Sequence, residues 1–236
     1  MPTTGEILSE LQALGSESIK KVLVKHGATE PFYGVKVEDL KKIQKRVKKD
    51  HALALALFDT GISDAQYLAA LISDPPKMSK AQLQKWAKTA IWSMIGEYSV
   101  AWAASESNFG AELAREWIDS KKEGIAATGW STWSSLVAIK PDEELDLDEL
   151  VGLLDRIQKE IRKAPNRVRY TMNGFVIAVG SYVTTLAVKA KAVAKGIGKV
   201  EVNMGETACK LPPALAYIEK VEKAGRSGKK RKTAMC

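Results

Sequence analysis

The sequence is poor in the residues that carry most small-site chemistry. It has two cysteines, Cys209 and Cys236, too few for a disulfide framework and in keeping with a reducing compartment. Its two histidines, His26 and His51, have no second ligand at helix or hairpin spacing, so no metal is expected. Nucleotide loops are missing too. Gly196-Ile197-Gly198 lacks a preceding strand and a third glycine, and Gly225-Arg226-Ser227-Gly228-Lys229-Lys230 lacks the length and the final Ser or Thr of a P-loop. No cofactor is expected. The longest uninterrupted apolar run, Ala52 to Phe58, is far short of the ~18 residues of a membrane span. The opening Met1-Pro2-Thr3-Thr4-Gly5-Glu6 shows no secretory pattern, so a cytoplasmic location is expected. Strand-like alternation is almost absent: Lys199 to Val202 is the one short stretch, and it reads as loop.

What remains is an ordinary globular composition with a basic excess. The chain has 236 residues, 45% of them hydrophobic and 27% charged, with a formal net charge of +8. More than half of that excess lies between residues 226 and 236, where Arg226, Lys229, Lys230, Arg231 and Lys232 meet no acid. A concentrated basic end points to a polyanionic partner, nucleic acid first.

The period is helical almost everywhere. Ile7, Leu8, Leu11 and Leu14 recur at helix spacing until Gly15, and Ser16-Glu17-Ser18 opens a second helix closed by Gly27. Val37, Leu40 and Val47 form one stripe while Lys41, Lys42, Lys45, Lys48 and Lys49 lie elsewhere on the same helix, which predicts one buried and one cationic face. Ser63-Asp64 is expected to cap a helix to Ile72, and Ser79 one that runs from Gln82 to Met94. Later helices are expected over Glu123 to Ile139, Asp146 to Lys163, Pro165 to Tyr182, Thr185 to Lys195 and Leu211 to Ala224. The fold class is therefore all-α, and the pattern alone leaves a bundle and a stack of helix pairs both open. The expected organisation is one helical domain over residues 1–224 and a basic tail over 225–236, read as a mobile arm that lies along phosphates.

Two segments are dense in candidate binding residues. In Thr128-Gly129-Trp130-Ser131-Thr132-Trp133-Ser134-Ser135 the two indoles sit among small polar residues, and Trp130 and Ser134, four apart, share a helix face. Such a face can form an aromatic platform for a base or sugar, or the rings can pack under a neighbouring helix. In Pro165-Asn166-Arg167-Val168-Arg169-Tyr170-Thr171-Met172-Asn173 a proline-started helix offers free N–H groups beside Arg167 and Arg169, with Asn173 one turn on. That suits a phosphate, although the arginines could instead pair with Glu160 or Asp155.

These segments, with Phe32-Tyr33-Gly34-Val35-Lys36 leading into a basic helix and the Gly228-Lys229-Lys230-Arg231-Lys232 run, resemble the AlkD-like DNA alkylation repair superfamily. The resemblance implies a HEAT-like helical-repeat solenoid, an α-α superhelix whose basic concave surface holds duplex DNA, alkylated where the family acts as a glycosylase on 3- and 7-alkylpurines. It also implies site roles. Trp130 falls on one of two tryptophans that flank the damaged nucleotide's sugar, Arg169 on a backbone-holding arginine, and Ser134 on the position of a charge-stabilising aspartate. The second tryptophan is expected between Thr185 and Lys195, which holds none. A carboxylate in a low-dielectric cleft contributes about a thousandfold or more in rate, which a hydroxyl does not replace, and Glu97, Asp142 or Glu143 are the nearby substitutes. The expected DNA-binding set is Trp130, Trp133, Arg167, Arg169, Asn173, Lys41, Lys45, Arg226, Lys229, Lys230, Arg231 and Lys232. A glycosylase, a non-catalytic DNA-binding module and a helical scaffold for protein partners all remain open.

Overall fold

Helix-favouring periodicity is realised from end to end in the computed structural model, which describes residues 2–235; Cys236, the last residue of the expected tail, lies outside them. No strand occurs among the described residues. The first helices are α1 (Thr4–Ala13), α2 (Glu17–Lys25), α3 (Val37–Val47), α4 (His51–Asp59) and α5 (Ser63–Ile72). The middle contains α6 (Lys80–Thr89), α7 (Ala101–Ser105), α8 (Gly110–Ile118) and α9 (Glu123–Ile139). The last part contains α10 (Leu147–Glu160), α11 (Asn166–Tyr182), α12 (Ala187–Ile197) and α13 (Ala214–Lys223). Polar side chains start several of them. Thr3 with Glu6 and Ser79 with Gln82 form capping boxes, and Asp50 and Asp146 accept from Leu53 N and Glu149 N at 3.0 Å each. Each such cap is worth about 1 kcal/mol.

Packing arranges these helices in two layers. In the inner layer α3, α5, a π-helical turn (Ile95–Val100), α9, α11 and α13 each touch the next. Behind it, α4 backs α5, α8 backs α9, and α12 backs α11. Two apolar cores lie between the layers, one from Ile7 to Trp117 and one from Ala114 to Ile218. No single helix is long and apolar enough to cross a membrane.

Three local expectations are corrected. The helix expected from Gln82 to Met94 stops at Thr89, and the π-helical turn then leads into α7. Gly96 in that turn sits so close to α9 that a Cβ would come within 2.6 Å of Thr128 Oγ1. Ser63 and Asp64 do not cap α5; Ile62 does, without a side-chain bond. The buried Asp64 carboxylate instead accepts from Tyr33 N (2.6 Å) and Val35 N (2.8 Å), and so pins the Tyr33-Gly34-Val35 step. Gly34 has φ +77°, a backbone that a side chain would strain.

The tail is the third. It is a packed strap, not a mobile arm. Gly228 N donates to Ser181 O (2.8 Å) at the end of α11, and Arg231 N to Ala138 O (2.7 Å) and Lys230 Nζ to Val137 O (2.8 Å) near the end of α9. These carbonyls belong to last turns that lack intrahelical donors, so the strap satisfies groups that would otherwise need water. Further on, Ala234 N donates to Glu106 (2.7 Å), and Ala234, 1% exposed, joins the N-terminal core with Met235 against it. The strap thus ties both halves together.

Candidate nucleic-acid interface

Between α9 and α11 the inner layer opens into a groove. The two helices run in the same direction. At their starts the Glu123 carboxylate accepts from Arg167 N (2.6 Å), and at their ends one short run of the strap bonds both. Along α9 the groove wall is Ser131, Ser134, Ser135 and Ala138, which is helical i, i+3, i+4, i+7 spacing. Along α11 it includes Tyr170, Thr171, Gly174, Ile177, Ala178 and Ser181. Glu97 and Tyr98 of the π-helical turn and Trp102 of α7 join them, and Tyr217, Arg226, Lys229 and Arg231 face the same space. The cavity volume is 520 Å³.

The start of the groove is built on a buried ion pair. Glu97 is 5% exposed, and Arg167 meets it with both arms of the guanidinium: Nε to Oε1 at 2.8 Å and Nη2 to Oε2 at 2.5 Å. Burial pushes the Glu97 carboxyl above its ordinary pKa, against the pull of Arg167. Burial works against the Arg167 charge too, but the hydrogen bond and charge of Glu97 more than offset it and hold that guanidinium above its usual value. The guanidinium also lies 4.2 Å from the centre of the Tyr170 ring, and Tyr170 Oη is 3.4 Å from Tyr98 Oη. Burial first, and then Tyr170, raises the Tyr98 phenol well above its ordinary range. The Tyr98 phenol therefore stays neutral.

Ser134 lines the groove, but its hydroxyl donates to Trp130 O at 2.9 Å, back-bonded to its own helix. Neither indole forms a platform. Trp130 is 0% exposed, edge-on to Phe175 with ring centres 5.5 Å apart, and Trp133 is 3% exposed. Both belong to the C-terminal core, with Arg156 and Arg115 stacked over them at 5.8 and 5.7 Å. The ring at 130 points into the core while Ser134 and Ser135 face the groove.

The other expected contacts divide in the same way. Arg167 is bound to Glu97 and not to Glu160 or Asp155, which hold Arg156 and Lys189. Arg169 is half-buried, is absent from the groove wall, and has a buried Nε without a partner. Asn173 touches the groove, yet it is 1% exposed and its amide donates to Pro212 O (3.1 Å). The start of α11 is not an open anion cradle, because Glu123 takes the Arg167 N–H and Asn166 exchanges hydrogen bonds with Asn203. Lys230 is structural, paired with Asp142 at 2.8 Å. Arg226 and Lys229 are exposed on the groove wall, Arg231 lines it with Nη2 on Met235 O, and Lys232 is exposed beside it. On α3, Lys42 and Arg46 are tied to Asp39 and Glu10, while Lys41 and Lys45 have no acidic partner among the described residues. Of the substitute carboxylates, Glu97 alone lines the groove, since Asp142 is held by Lys230 and Glu143 is exposed outside it. Of the groove residues, Ser134 was singled out from sequence, whereas Ser131, Ser135 and the tyrosine pair carried too weak a pattern. No group of three or more His, Cys, Asp or Glu that could hold a metal occurs among the described residues.

Comparison with known proteins gives this arrangement a setting. The family model described as DNA alkylation repair enzyme matches residues 7–198. Uncharacterized proteins of Listeria innocua and Listeria monocytogenes are each 37% identical over 226 residues, which is 93% of this chain and 97% of each relative. A solved structure is similar over 100% of both chains with a TM-score of 0.91 and 34% identity. It is described as belonging to a new family of proteins related to the HEAT-like repeat DNA glycosylases with affinity for branched DNA structures. The fold is therefore the HEAT-like helical-repeat fold.

Proposed function

The chain belongs to the DNA alkylation repair enzyme family, and on that premise we propose that it is a DNA-binding protein that holds DNA along its inner layer and lacks the glycosylase centre of the AlkD-like enzymes. The groove between α9 and α11 supports this reading, with Arg226, Lys229 and Arg231 on its wall, and with Lys41 and Lys45, which have no acidic partner among the described residues, on α3. Phosphate contacts of this kind give affinity and orientation without reading sequence. The affinity for branched DNA described for the structural relative favours bent or branched DNA as the ligand over a straight duplex.

The observation that carries the non-catalytic half is the pairing of Ser134 with a buried Trp130. A sugar cation formed as a purine leaves needs a carboxylate close by, in place before the bond breaks. Ser134 supplies a hydroxyl already spent on Trp130 O, and both oxygens of Glu97 are engaged by Arg167.

Two measurements test the proposal. Fluorescence anisotropy with a four-way junction and a matched linear duplex should give saturable binding that favours the junction. Affinity should fall with salt at a log–log slope of about −0.9 per phosphate neutralised. Methylated duplex incubated with excess protein should release no 7-methylguanine. A flat salt dependence removes the binding claim, and base release removes the non-catalytic one.

A further inference from the structure

The groove is more than a cationic surface; it is a cavity with two chemically different ends. From Tyr170 to Ser181 its α11 wall runs ~16 Å at 1.5 Å per residue. One end holds the Tyr98–Tyr170 pair, with the Tyr170 ring fixed by the stacked Arg167 guanidinium. The other end holds the strap cations Arg226, Lys229 and Arg231, set there by strap bonds to the last turns of α9 and α11. Between them α9 contributes Ser131, Ser134 and Ser135, and α11 contributes Gly174, Ile177 and Ala178. Ser181, in the last turn of α11, borders the cavity; it is 4% exposed and its hydroxyl is buried without a hydrogen-bond partner.

At 520 Å³ the cavity is of the size that takes a small organic ligand, and far too small for a duplex. Aromatic rings at one end, the α9 serines in the middle and exposed cations at the other match a base, a sugar and a phosphate in that order. We infer that the groove receives one unpaired nucleotide of the bound DNA, with its base against Tyr98 and Tyr170, its sugar along the α9 serines, and its phosphates on the exposed strap cations Arg226 and Lys229. The inference rests on the DNA-binding reading above and deepens it, because a branched or distorted duplex exposes unpaired nucleotides that a straight one does not. Base–aromatic stacking is tolerant of sequence, so the site selects for an unpaired base without selecting which one.

The test uses the full chain and three fluorescein-labelled duplexes: fully paired, with one bulged nucleotide, and with one bulged abasic residue on the same backbone. The bulged nucleotide should bind about 5- to 150-fold more tightly than its abasic counterpart, the range expected of a stacked base. Ser135→Trp, which fills the groove, and Tyr170→Ala, which removes a ring, should each bring the two bulged duplexes to equal affinity. Lys159→Glu on α10 should leave the difference in place. Circular dichroism melts verify that the variants fold, and either variant suffices. Wild-type binding that is equal for the base-bearing and abasic bulges overturns the inference and leaves the DNA-binding reading standing, as does a preference that survives both groove variants. Failure to bind any of the three duplexes removes the DNA-binding reading itself.

Discussion

Arg167→Met isolates the buried carboxylate at the head of the groove. In the wild type, Glu97 is 5% exposed with both oxygens on the Arg167 guanidinium. Removing one partner of a buried pair leaves an uncompensated charge and costs about 3–5 kcal/mol at neutral pH. For a chain of this size a kcal/mol moves Tm by about 2–4 °C, so the loss corresponds to roughly 6–20 °C. Its sign with pH follows from burial, which already raises the Glu97 pKa and which acts unopposed once the guanidinium is gone. An acid whose folded pKa lies above its unfolded pKa binds more protons folded than unfolded, so stability falls as pH rises through that window. The limiting slope is about 1.4 kcal/mol per pH unit, starting near the ordinary glutamate value. Denaturant melts of Arg167→Met between pH 4 and pH 8 should therefore show the variant least impaired at the acid end. The double variant Glu97→Leu with Arg167→Met carries no buried charge and should recover most or all of the loss. A single variant whose deficit is small and independent of pH, or a double variant no better than the single, refutes the reasoning.

Three further outcomes follow from the packing. Deletion of residues 226–235 removes the donors on Ser181 O, Ala138 O and Val137 O and the Lys230–Asp142 pair, and should lower both Tm by several degrees and DNA affinity; an unchanged melt would mean that the strap is not packed. Ser134→Asp puts a negative charge in the groove without bringing Trp130 to it, so it should weaken DNA binding and gain no 7-methylguanine release, whereas a gain would revive the glycosylase reading. Gly129→Ala would place a Cβ 2.7 Å from Ile118 N and 2.9 Å from Trp117 Cβ, where α8 and α9 touch, and should cost about 1–3 kcal/mol in urea melts; a neutral result would show that α8 can move aside.

The helical class and nearly every helix were legible in the sequence because apolar spacing, N-terminal capping residues and terminating glycines agree along the chain. Errors arose where tertiary contacts overrode that local pattern. Helix α9 touches α8, α11, α7, α6 and the π-helical turn, so it has almost no solvent face. On such a helix small hydroxyl residues do not mark a polar side: Thr128 and Thr132 are 1% and 0% exposed, back-bonded to carbonyls one turn earlier. Trp130 and Trp133 were therefore misread as groove residues, although Ser134 beside them does face it. The Glu97–Arg167 pair joins residues far apart in the sequence, and only the approach of the π-helical turn to α11 brings them together. The strap was misread for a compositional reason. Its basic run suggests a solvated arm, yet its backbone and Lys230 supply the donors that two helix ends lack, and Ala234 anchors it in the N-terminal core.

The central claim is that the inner-layer groove, and not the basic charge of the whole molecule, is what holds DNA. It is tested most directly by comparing two charge-reversed proteins of equal net charge in junction-binding titrations at one fixed salt concentration. Arg226→Glu with Lys229→Glu reverses two exposed groove-wall cations, and Lys159→Glu with Lys195→Glu reverses two exposed cations on α10 and α12. The groove pair should lose about tenfold or more in affinity, while the other pair changes by no more than about twofold. Equal losses in the two proteins would contradict the account.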